Sequence, residues 1–309
     1  MEGETLPLHP FFYLFANHMK KILVSLSLIF LLALSAFAQG RRGPQIDTVK
    51  LWPNGAPNAF EIPGPESGFM VFGAKTYELA MMEVYPARNP NGLCVIMCPG
   101  GAYVMESQTH EGRDLHDWFN ARGITYCMLQ YRLPIGHHEV PLSDLQQAIR
   151  IMRGRKDLGI TKVGVMGNSA GGHLAACGAT MYVDKETRPD FQILQYPVIT
   201  METELTNMMS RDALLGKDPS QALIDKYSCE KNVTADTPPA FIVLCSDDTV
   251  VVPQNSLMYY EQLVKNKVSA TLHIYPYGGH GWGWQDSMVF KSSWVSAMED
   301  WLRLVVEKL

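Results

Sequence analysis

An α/β fold with a mostly parallel central sheet and helices on both faces is predicted by three observations. From residue 93 onward, short apolar runs alternate with amphipathic segments of helical length, the pattern of strands covered on both faces by crossover helices. One of these runs ends in Gly167-Asn168-Ser169-Ala170-Gly171 and passes at once into an alanine-rich helical stretch. After the strand that ends near Tyr196 the rhythm lapses: residues 197–239 carry helical patches (LTNMMSRDALLG, SQALIDKYS) and no strand.

The elements follow in order. Segments near Val49 and over 76–85 alternate apolar and polar residues, which suits antiparallel strands at a sheet edge. Residues 93–98, 124–131, 163–166, 191–196, 241–245 and 270–275 are apolar and rich in β-formers, and they read as strands. Helices are expected over 111–122, 142–158, 170–181 and 254–266, with a final one over 288–309. The 197–239 stretch has the character of a small cap or a substrate-shaping insertion.

The amino terminus is expected to be processed. Met19-Lys20-Lys21, the apolar run that follows and Ser35-Ala36-Phe37-Ala38 form a basic n-region, an h-region and an A-x-A site. Together they read as a secretory signal peptide cleaved after Ala38, too short in its apolar part for a ~20-residue span. Residues 1–18 add nothing to such a signal and are expected to reflect a start codon assigned too early. Residues 39–309 are then a single catalytic domain, secreted or periplasmic, with no stable membrane insertion. The formal net charge is -5, and no basic stripe marks a nucleic-acid footprint. Most of the six cysteines lie inside apolar runs, as buried thiols do; with no C-x-x-C in the chain, a structural zinc site has no basis.

A serine flanked by glycines two positions either side, with a strand before it and a helix after it, is the signature of a nucleophile elbow. The turn is tight enough that side chains at 167 and 171 would collide, and glycine removes the collision. Ser169 is therefore the candidate nucleophile. Its hydroxyl needs a base, and the base needs an acid to orient it; in elbow proteins these follow in the order acid, then histidine. Three histidines come after Ser169. His173 precedes any candidate acid and reads as a packing residue, and His273 lies within the strand pattern TLHIY. His280, in the loop Tyr277-Gly278-Gly279-His280-Gly281 after the last strand, is the candidate base. The acid should follow the strand at 241–245, where Asp247 and Asp248 compete. Asp248 stands four residues before Val252-Pro253 and is preferred, with Asp247 as a turn or cap residue. Oxyanion donors are expected from the N–H of Ala170 and from Gly101 and Ala102 in the loop Pro99-Gly100-Gly101-Ala102-Tyr103. Tyr103 and Trp282 are candidate substrate contacts, with core or loop packing the favoured reading of Trp282. This chemistry calls for no metal and no cofactor.

The segments PGGAY, EGRDLHDWFNARGI, LQYRLP, PLSDLQQAIR, GVMGNSAGGHLAA, TPPAFIVLCSDDTVVVPQNS and YGGHGW, in that order, resemble the α/β-hydrolase serine esterases akin to bacterial acetyl-xylan esterases and the hormone-sensitive-lipase group. The resemblance covers most of residues 49–309. It departs at Pro99-Gly100-Gly101-Ala102, where many such esterases carry His-Gly-Gly-Gly. It implies a carboxylesterase acting on short acyl esters, such as acetylated oligosaccharides. A serine peptidase of the prolyl-oligopeptidase type and a broad lipolytic carboxylesterase remain alternatives, as does a non-catalytic binding protein of the same fold. The first generally needs an extra N-terminal domain, and the last typically loses its serine or histidine.

Overall fold

A computed structural model describes residues 46–61 and 80–308. The signal-peptide stretch and the extension before it lie outside the described residues, as does the start of the expected 76–85 strand. Among the described residues, eight strands form one sheet in the order β1-β2-β4-β3-β5-β6-β7-β8. They are β1 (Asp47–Lys50), β2 (Met81–Tyr85), β3 (Leu93–Cys98), β4 (Thr125–Gln130), β5 (Lys162–Asn168), β6 (Phe191–Gln195), β7 (Ala240–Cys245) and β8 (Ala270–Tyr275). β1 and β2 pair antiparallel, and β2 joins β4 antiparallel. All other pairings are parallel.

Burial follows from position. Every residue of β3, β6 and β7 is buried, whereas β1 at one edge alternates half-buried and exposed residues and β8 at the other is only half-buried. A strand covered by helices on both faces is largely apolar, Gln192 and Gln195 of β6 excepted, and an edge strand need not be.

The α-helices among the described residues are α1 (His116–Asn120), α2 (Glu139–Gly154), α3 (Ser169–Thr180), α4 (Met208–Leu215), α5 (Gln221–Tyr227), α6 (Gln254–Lys265) and α7 (Lys291–Leu304). The helix expected over 111–122 is shorter than its pattern. It consists of a 3-10 turn at Arg113–Leu115 and the five residues of α1. Residues 107–112 are instead held in turns by Arg113 N–H on Gln108 O and Gly112 N–H on Thr109 O. α2 begins three residues earlier than its pattern, because Pro141 falls in the first turn, where a missing N–H costs nothing. The 197–239 insertion is α4, α5 and a 3-10 turn at Cys229–Asn232. Its two helices are capped by Asn207, which accepts from Ser210 N–H, and by Ser220, which accepts from Leu223 N–H. The Asn207 amide also donates to Val250 O, and Gly136 N–H donates to Ala213 O, tying the insertion to loops at the carboxyl edge of the sheet. All six cysteines are buried free thiols. Among the described residues, no helix is long and apolar enough to cross a membrane.

Chain order reverses around β3, with β4 on one side and β5 on the other. Loops leaving β3 and β5 therefore diverge to opposite faces and open a crevice at their carboxyl ends. Cys98 pairs with Gly167 in register, so the glycine loop after β3 and the serine turn after β5 emerge side by side.

Candidate active site

Ser169 is the first residue of α3 and sits at φ 54°, in the left-handed region. Such a conformation in a non-glycine residue costs free energy and persists only where its surroundings impose it. Close approach supplies the imposition. A Cβ on Gly171 would strike the carbonyl oxygens of Cys98 and Pro99, and one on Gly167 would strike Gly171 O. Gly171→Ala is accordingly expected to cost about 3 kcal/mol or more of stability, because the colliding groups are backbone and cannot rotate away. A urea midpoint unchanged from that of the parent would refute this.

Two further loops reach the same point. β7 ends at Cys245, and the turn beyond it carries Asp248, whose side chain is fully buried. Asp248 Oδ1 accepts the N–H groups of Val250 and Val251, both at 2.9 Å. Its Oδ2 accepts from His280 Nδ1 at 2.7 Å, and His280 Nε2 lies 2.8 Å from Ser169 Oγ. A carboxylate on Nδ1 fixes the proton there, which leaves Nε2 as an acceptor facing the serine hydroxyl. Asp247 points elsewhere: it is exposed and accepts from Gly278 N–H at 3.2 Å and Gly279 N–H at 2.8 Å, which holds the histidine loop in its turn. The Gly279 N–H bond holds the Asp247 carboxyl below its usual range.

The glycine loop after β3 is bent by Gly101, Ala102 and Tyr103, all at positive φ. Among the described residues, the N–H groups of Gly101 and Ala102 meet no backbone or side-chain acceptor. The Ala170 N–H lies in the first turn of α3, where no intrahelical carbonyl can reach it. Free N–H groups beside a nucleophile are what a developing oxyanion requires.

The two substrate-contact expectations are corrected by burial. Tyr103 is 1% exposed, its hydroxyl 2.9 Å from His173 Nδ1 and its ring edge-on to Tyr131. Trp282 is 4% exposed and packs edge-on against Tyr196 and, tilted, against Trp294. Neither ring is free to stack on a sugar. His273 stays in β8 against Phe241, and His173 is fully buried, with Nε2 donating to Tyr227 O. His173 lies close to Cys177 and Cys229, and the three could ligate a metal. Both His173 nitrogens already have hydrogen-bond partners, so the arrangement reads as packing.

Residues without a sequence signal also meet here. Tyr196, directly after β6, packs its ring against that of His280, the centroids 4.7 Å apart and the planes tilted by 59°. Its hydroxyl donates to Glu111 Oε1 at 2.6 Å and accepts from Asn168 Nδ2 and Gly283 N–H, both at 2.8 Å. Glu111 stands in a turn and Asn168 occupies a variable position of the elbow pattern, so no local spacing marks either.

A serine, an imidazole and a buried carboxylate stand in a hydrogen-bonded relay at the carboxyl edge of a parallel sheet, an arrangement that serine hydrolases share. The chain belongs to the family described as alpha/beta hydrolase fold, whose model matches residues 95–283. It is 37% identical over 233 residues to an acetylxylan esterase from Xylanibacter ruminicola, an alignment covering 73% of this chain and 48% of that protein. It is 33% identical over 207 residues to an endo-1,4-beta-xylanase B from Butyrivibrio fibrisolvens, covering 61% of this chain and 32% of that one. The chain thus spans about half or less of the length of these curated relatives. Among solved structures, an acetyl ester-xyloside bifunctional hydrolase from Caldicellulosiruptor lactoaceticus is similar, with 32% identity and a TM-score of 0.71. That match covers 84% of this chain and 96% of the other.

Proposed function

We propose that the protein is an exported serine carboxylesterase that removes acetyl groups from xylan-type polysaccharide fragments. The observation that carries this reading is the continuous relay from Ser169 through His280 to Asp248, beside unengaged N–H groups of the glycine loop. The acetyl ester and xylan chemistry named in its relatives supports the substrate class. Export, expected from the signal-like pattern of residues 19–38, would suit a polymer that cannot enter the cell.

In this mechanism Ser169 Oγ attacks the ester carbonyl carbon while its proton passes to His280 Nε2. Asp248 keeps the imidazole in the productive tautomer and stabilises the imidazolium that forms. The tetrahedral oxyanion is met by the N–H groups of Gly101, Ala102 and Ala170. Collapse expels the sugar hydroxyl, protonated by His280, and leaves an acetyl-serine. Water, deprotonated by the same imidazole, releases acetate.

The mixed apolar and charged make-up of the 197–239 insertion, where Met208, Met209, Leu214 and Leu215 lie among Glu202, Glu204, Arg211, Asp212 and Lys217, supports a preference for short acyl chains. Turnover should fall steeply from acetyl esters to chains of eight or more carbons, as each methylene without room turns a burial gain of ~0.8 kcal/mol into a steric cost. The test is acetate release from acetylated xylo-oligomers beside nitrophenyl esters of increasing length and dipeptide amides. Equal turnover on octanoyl esters would favour a broad lipolytic carboxylesterase. That second reading draws on Met208 and Met209 of the insertion, which are 41% and 60% exposed. Cleavage of the amides in preference to esters would instead favour a peptidase.

A further inference from the structure

We infer that Glu111 is a positioning residue that, through Tyr196, locks the oxyanion loop, the nucleophile turn and the histidine loop into one register; this rests on the reading of Ser169 as the nucleophile. Glu111 is 3% exposed, and among the described residues no cation pairs with its carboxylate. A buried carboxylate is costly unless hydrogen bonds compensate it. Here the donors are Gly100 N–H on Oε2 at 3.1 Å and Tyr196 O–H on Oε1 at 2.6 Å. Gly100 immediately precedes Gly101, and a Cβ there would strike Glu111 Oε2 and come within 3.1 Å of Ser169 Cβ. The carboxylate therefore lies against the glycine loop at the point where that loop passes the serine turn.

Tyr196 carries the constraint to the other two loops. Its oxygen already takes two donors, from Asn168 next to Ser169 and from Gly283 three residues after His280. Its own proton must then go to Glu111. Burial and the neighbouring Glu111 carboxylate push the Tyr196 phenol well above its ordinary range, so it remains a donor. The same turn binds the histidine loop a second time, through Trp284 N–H on His110 O at 2.7 Å.

Two donors converge on Glu111, and only a carboxylate offers two acceptors in that shape. A glutamine is isosteric but presents one acceptor and one NH2, so either Gly100 N–H or Tyr196 O–H must lose its partner. The lost bond loosens the donors of the oxyanion hole, which act on the transition state rather than on bound substrate.

The test uses Glu111→Gln and Tyr196→Phe in the whole protein. Two readouts are compared with the parent: the rate at which a fluorophosphonate labels Ser169, and kcat and KM on nitrophenyl acetate. Labelling and kcat of Glu111→Gln should fall ~10 to 1000-fold with KM within about threefold, since the loss is confined to oxyanion stabilisation. Tyr196→Phe should fall comparably. The double variant should fall no further than the worse single one, because both break one network. A merely structural role would lower the thermal midpoint and yield while leaving the labelling rate of the folded fraction unchanged. Folded Glu111→Gln labelled within threefold of the parent rate would overturn the inference. Should that variant fail to fold, Tyr196→Phe decides by the same threshold. A parent labelled at Ser169 that releases no acetate would defeat the proposed substrate while leaving this comparison decisive; a parent not labelled at all would overturn both.

Discussion

Replacing Ser169 by alanine should abolish turnover, lowering kcat on nitrophenyl acetate by ~10⁶-fold, the cost typical of removing a nucleophile whose partners act only through it. The fold should survive. Alanine deletes one oxygen and keeps the Cβ, and it carries the same strain at φ 54° that serine does. The unfolding midpoint should therefore stay close to that of the parent, and the loss cannot be blamed on misfolding. A folded variant that retains more than about a hundredth of the parent's turnover would remove Ser169 from the chemistry. The glycine loop and elbow would then have to serve some other group, because residual catalysis without a nucleophile is expected to be far smaller.

The second large effect separates two adjacent carboxylates. Asp248→Asn should lower kcat by ~10⁴-fold. The reason is a tautomer. Asp248 Oδ1 is committed to Val250 and Val251 N–H, so an asparagine would keep its oxygen there and turn its NH2 toward His280 Nδ1. An imidazole facing an NH2 must present an unprotonated Nδ1, and its proton moves to Nε2, where it points at Ser169 and cannot accept. Asp247→Asn should cost less than about tenfold. Its oxygens hold Gly278 and Gly279 N–H from an exposed position, and an asparagine oxygen can retain one of these bonds. Steady-state kinetics of the two variants side by side decide the matter, and the reverse ranking would move the acid to Asp247.

Much of the molecule was written locally. Strands β3 and β8 match their apolar runs residue for residue, and the other parallel strands differ from expectation by a residue or two at their ends. Alternation of buried strand and amphipathic helix is a property of neighbours in the chain, and so is the collision of a Cβ at 167 with Gly171 O, whereas the collision at 171 is with Cys98 and Pro99 at the end of the neighbouring strand. The three side chains of the relay were likewise legible, because the fold delivers nucleophile, acid and base on successive loops at one edge of one sheet. Chain order and the nearest strand end were enough to choose His280 over His273.

Contacts between distant segments were a different matter. Tyr103 and Trp282 stood beside the loops of interest in sequence, and aromatic rings near a site suggest a sugar platform. Each turned inward because a large apolar surface is better buried than exposed, and Tyr131, Tyr196 and Trp294 were there to receive it. The helix expected to begin at 111 begins later, since Glu111 is held by Gly100 and Tyr196 from elsewhere in the chain. By itself the sequence determined the strands, the elbow motif and the chain order of the relay, all of which are patterns written along the chain. Which side chains brace that relay was decided only by the tertiary structure, because the Glu111–Tyr196–Asn168–Gly283 network joins four segments that have no common spacing and meet only when the sheet is assembled.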